Sequence, residues 1–211
     1  DSIIIGGSCN EAKQSADSSC VGLIRGGFGC QTVMIGTSAS ISENTFGAVI
    51  GGGDHNLLGG GNSSVIIGGF KNCITHGNAG AATGKIGIGR SAIVGGTDNC
   101  ILSGDNSVIA GGYKNLIDHG NHLCDNQRGA TIGGGHCNTA RGNWSTIGGG
   151  ISNEVKNTAA SNANKFSTIA GGCKNIVDAT GGTIAGGYNN KVCSNNSTIA
   201  GGKSNCTPTG N

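Results

Sequence analysis

The sequence predicts an all-β fold, a parallel β-solenoid of about twelve coils of 15–16 residues that takes in residues 1–211 as a single repeat domain. Three observations carry that expectation. A nonapeptide recurs along the chain, clearest as SVIAGGYKN at 107–115, STIAGGCKN at 167–175 and STIAGGKSN at 197–205. Its glycines and its asparagine keep fixed places. No stretch shows the 3.6-residue apolar period of a helix.

Copies begin at Ser2, Gly22, Thr32, Ala48, Ser64, Ser91, Ser107, Ala130, Ser145, Ser167, Gly182 and Ser197. Position three is Ile in every copy but one, where Met34 stands, and marks a short strand with an inward column. Positions five and six are glycine, apart from Thr37. They are expected to turn a tight corner and to let neighbouring coils approach. Position nine is Asn except at Cys30 and Ser40, and should stack on itself as a ladder of side-chain hydrogen bonds. Two residues further comes a second apolar place, filled by Ala12, Leu58, Ile74, Ile101, Ile117, Ala140, Val155, Val177 and Val192. Each unit therefore reads strand, turn, strand, turn. Units this short cannot bury a face alone and must stack. Insertions interrupt the period near 11–21, 75–90, 118–129 and 157–166.

Composition narrows the function. The chain carries 44 glycines but one proline and no strict G-X-Y period, which excludes collagen. Apolar residues make up 35% and recur regularly, which argues against disorder. A net charge of +2 with no basic run gives no reason to expect nucleic acid. No apolar stretch reaches the roughly 20 residues of a membrane span. The first residue is Asp1, so the sequence reads as a processed form or a fragment.

In the first half of the chain, position two (Ile3, Leu23, Val33, Val49, Val65, Ala92, Val108) and several residues at position four (Ile5, Ile35, Ile67, Val94) are also apolar or small. A strand apolar on both faces needs cover on both. One cover is the coil interior. The other is expected to be a second copy of the chain.

The segments NSVIAGGYKNLIDHGN and STIGGGISN resemble the head repeats of trimeric autotransporter adhesins. They are still closer to the I-G-G-G-x-x-N repeats of phage-tail-fibre-like and giant-virus surface proteins. The resemblance implies a left-handed β-roll, a homotrimer, and a non-catalytic role in attachment at a cell or virion surface. The partners it implies are a host-surface glycan or protein. The chain departs from the adhesin heads in its longer unit and its ten cysteines.

Chemistry-bearing residues are few. An even cysteine count suggests disulfides if the chain is extracellular. Cys73 and Cys100 follow the Asn in consecutive coils, and stacking would bring them within bridging range. A column of unbonded small hydrophobes is the alternative. His119, His122, Cys124 and Asp125 cluster in one insertion, which reads as a solvated loop, so no metal or other cofactor is expected. Thr131, Thr146, Thr168, Thr183 and Thr198 hold position two in the second half, and such a column could bind ice. A hexapeptide-type acyltransferase also places a catalytic His on a solenoid, but its 18-residue coil does not fit this period. No enzyme is expected. Sequons at Asn62, Asn143, Asn195, Asn196 and Asn205 arise largely from the repeat itself. Binding would sit on the insertions.

Overall fold

A computed structural model of the chain describes residues 2–4, 11–12, 32–34, 40–41, 47–59, 63–75, 89–102, 105–119, 129–156 and 166–209. Every element among them is a strand of two or three residues. The strands at positions two and three form an eleven-stranded parallel sheet, and those that begin at position ten form a ten-stranded one. The chain is thus the parallel β-solenoid that the repeat predicts. A third ladder of single parallel bridges, absent from the sequence reading, joins the residues at position seven from Asp54 through Tyr113 and Ile151 to Lys203. From the coil of Asp54 onward, each coil therefore has three hydrogen-bonded edges.

Among the described residues the stack holds eleven coils, where twelve copies are predicted. Ser2–Ile4 pairs directly with Thr32–Met34, and Glu11–Ala12 with Ser40–Ile41, so no coil stands between them, and the copy beginning at Gly22 lies outside the described residues. A ten-residue spacing to the next copy is too short to complete a coil that needs 15. The insertion boundaries also move. Glu11–Ala12 is strand, and Thr75 and Asp118 end strands Cys73–Thr75 and Leu116–Asp118. The rest of the four insertions lies mostly outside the described residues.

The core is two facing columns. Position three, from Ile50 to Ile199, and the second apolar place, from Leu58 to Val192, are buried throughout. Between them runs the asparagine ladder. Each Asn Oδ1 accepts the backbone N–H of the Asn in the next coil at 3.0–3.1 Å. The Asn115 amide also donates to Gly111 O in its own coil and Gly135 O in the next. The partners along the ladder are 15 to 27 residues apart, yet the bond does not change. Insertions leave the coil without disturbing its register.

The two glycines divide their roles. Position six has φ of 82–96° from Gly53 to Gly202. A Cβ on Gly112 would stand 2.2 Å from Gly135 O, so the close approach expected of glycine is real there. Position five behaves otherwise. A Cβ on Gly68, Gly95, Gly171, Gly186 or Gly201 would meet nothing within 4 Å, and the expected steric reason is absent in those coils. Two further corners take positive φ without glycine. Position eight, from His55 to Ser204, sits at 53–57° and turns its N–H back to the coil below, as Lys114 does to Thr97 O. The residue before position one also takes positive φ at Ser63, Arg90, Asn106, Trp144, Phe166 and Asn196.

Candidate interaction face and cysteine pair

The outer side of the eleven-stranded sheet is built from positions two and four. In the described coils position two reads Val49, Val65, Ala92, Val108, Thr131, Thr146, Thr168, Thr183 and Thr198. Position four reads Gly51, Ile67, Val94, Ala110, Gly133, Gly148, Ala170, Ala185 and Ala200. No Asp, Glu, Lys, Arg or His occupies either column, in a chain with 24 charged side chains from 13 basic and 11 acidic residues. Position four is exposed in every one of these coils, and Ile67 and Val94 stand 55% and 44% open. The pleat explains the arrangement, because alternation sends position three inward and positions two and four out. The face is flat, neutral and continuous, aliphatic at one end and Thr/Ala-rich at the other.

The five threonines lie one above another, Thr131 against Thr146, Thr146 against Thr168, then Thr183 and Thr198. They continue the column that Val49, Val65, Ala92 and Val108 begin. The sequence-predicted threonines are therefore brought together, with one per coil.

Cys73 and Cys100 are direct partners on adjacent strands, as the stacking predicts. Both are half-buried free thiols in this structure, joined by a hydrogen bond rather than a disulfide. That bond lowers the pKa of Cys73 against the opposing effect of burial, with a smaller contribution from Thr75. The same bond raises the pKa of Cys100, helped by burial and by the Cys73 and Asp118 charges. Of this pair, Cys73 is the one that ionises first.

His119 is buried beyond Leu116–Asp118, while His122, Cys124 and Asp125 lie outside the described residues. Among the described residues no three His, Cys, Asp or Glu side chains converge on a point that could hold a metal ion. Asn143 is 4% exposed and closed to a glycan, whereas Asn195, Asn196 and Asn205 are exposed. Asn62 lies outside the described residues.

Two features have no counterpart in the sequence reading. Positions seven and eight form a ridge on which Lys71 Nζ stands 5.0 Å from the Phe70 ring and Lys114 Nζ 4.9 Å from Tyr113. Lys174 and Lys203 both approach Tyr188. The recurring aromatic–Lys pair after the glycines was the signal for it. At the opposite corner, Trp144 and Phe166 stand 42% and 63% exposed in consecutive coils.

No protein-family model matches the chain, and no curated protein shows significant similarity to it.

Proposed function

We propose that the chain is a non-catalytic module of a surface fibre, a homotrimeric rod that mediates attachment to a cell or other surface. The observation that carries this reading is the neutral face of the eleven-stranded sheet. A flat, uncharged strip that runs the length of the described coils is the kind of surface that marks a protein–protein contact. The coil itself supports a scaffold role, since its buried polar residues, His119 apart, are Asn and Ser, and the ladder among them engages backbone hydrogen bonds. Attachment is assigned to the insertions and to the ridge of position seven, where three copies would repeat each weak contact and raise avidity. The implied setting is extracellular, on a cell or virion, with a glycan or protein as the partner. Light scattering should give three times the 20.6 kDa chain mass. Deleting 75–90 or 118–129 should keep the β circular dichroism spectrum and reduce binding to cells or a glycan array. Undiminished binding by every deletion variant would overturn the attachment role of the insertions.

One observation favours a second reading. The in-register threonines from Thr131 to Thr198 beside a column of Gly and Ala form a regular surface suited to ordered water. An ice-binding rod would be active as a monomer and would show thermal hysteresis, abolished in Thr168→Tyr. A monomer without hysteresis would remove this alternative.

A further inference from the structure

At the corner that precedes position one, Gly47, Asn106, Gly181 and Asn196 take a positive φ that such residues tolerate, and Ser63 and Arg90 take a positive φ as well. Trp144 and Phe166 are the aromatic residues at this corner, at φ 55° and 59°. Bulky side chains are strained in that conformation. Packing within the chain covers part of Trp144, which is 42% exposed, and less of Phe166, which is 63% exposed. The Trp144 six-membered ring lies over Gly129, and Phe166 stands further out.

The other edge of the same strand shows the converse. In the coil of Phe166 and the two beyond it, position four is Ala170, Ala185 and Ala200, followed by Gly171, Gly186 and Gly201. A Cβ on any of those three glycines would meet nothing within 4 Å. The chain's own fold does not require glycine there, yet the edge is kept bare. Two projecting rings thus border one side of a neutral face, and a smooth shelf of small residues borders the other.

We infer that Phe166 of one copy packs onto Ala170 and Gly171 of a second, parallel copy, with Trp144 one coil earlier against Gly148 and Gly149; the inference rests on the self-association reading above and specifies its contact. Parallel rods keep equal coils at equal height, so one edge of a copy meets the opposite edge of its neighbour coil for coil. A two-fold pair and a ring of three both satisfy this contact, and sedimentation distinguishes them. Area supports this occupant. Nine described coils at ~4.8 Å, four residue steps of ~3.3 Å wide, give a face of about 560 Å². That falls short of the ~800 Å² per partner of a standard stable interface. The exposed parts of the two rings add about 200 Å² and bring it close to that size.

The test is the double variant Trp144→Gly, Phe166→Gly. Glycine relaxes the positive φ, so the single chain should unfold at equal or higher urea concentration. Assembly should weaken at least tenfold by sedimentation. A photoreactive benzoylphenylalanine at Phe166, in a mixture of ¹⁴N and ¹⁵N chains, should cross-link to residues 167–191 of the other isotopic copy. An unchanged assembly in the double variant, or cross-links confined to one copy, would overturn the interlock while leaving self-association standing. A monomeric wild-type chain would instead overturn the reading beneath it.

Discussion

Asn115 shows how much one residue carries in this fold. It is fully buried, and its amide donates to Gly111 O and Gly135 O, while its Oδ1 accepts the Asn138 N–H. Asn115→Ala leaves the buried Asn138 N–H and the half-buried Gly111 carbonyl without this partner, at about 1 kcal/mol each, while Gly135 O keeps the Tyr113 N–H. A loss of about 2 kcal/mol in urea unfolding is expected. Asn115→Asp keeps the acceptor but buries a carboxylate among carbonyl oxygens, which raises its folded-state pKa above the unfolded value near 4. The folded state then binds the extra proton, so this variant should lose stability as pH rises from about 4 towards 7. Wild type at that position has nothing to titrate, and an equal pH slope in both would contradict the argument. Gly112→Ala acts through shape instead. Its φ of 91° and the nearby Gly135 carbonyl require a coil to shift, so the loss should exceed the ~1 kcal/mol of a simple Gly-to-Ala conformational difference.

Stacking of elements turns distant residues into direct neighbours. Cys73 and Cys100 are 27 residues apart in sequence and paired in the ten-stranded sheet. The shared hydrogen bond makes Cys73 the earlier thiolate, so alkylation by iodoacetamide should mark it before Cys100 as pH is raised. Cys100→Ser should change the Cys73 titration, since its partner is altered. Under mild oxidant the two should bridge, and non-reducing peptide maps should find them in one peptide pair. Finding both thiols free in fully oxidised protein would refute the bond. The ion pair of Arg141 with Glu154 on the adjacent strand is exposed enough that its removal should cost well under 1 kcal/mol.

For the whole molecule, the neutral face sets the kind of association to expect. Contacts without charges are not screened, so raising NaCl from 0.1 to 1 M should leave the proposed assembly intact or strengthen it. Dissociation by salt, followed by light scattering, would point to the Lys-bearing ridge instead. Ile67→Asp and Val94→Asp should separate the copies, because each would bury an unpaired carboxylate at the contact. Both residues are exposed in the single chain, so its own fold should be little affected.

The period, the Ile column, the Asn ladder and the glycine at position six were legible in the sequence because each is a local requirement repeated in every coil. Alternation fixes which side chains point inward, and a stack of like coils puts like residues in contact. The proximity of Cys73 and Cys100 and the alignment of the five threonines followed from the same periodicity. Tertiary structure decided what depends on which strands pair. Only the pairing of Ser2–Ile4 with Thr32–Met34 decided that no coil stands between them, because a motif match does not count the residues needed to close a turn. The ladder at position seven and the positive φ at position eight came from the path of a closed coil, which the residue types there, from His55 to Ser204, do not announce. The open side of the position-five glycines and the exposure of Trp144 and Phe166 are properties of a surface. A surface exists only once the coils have stacked.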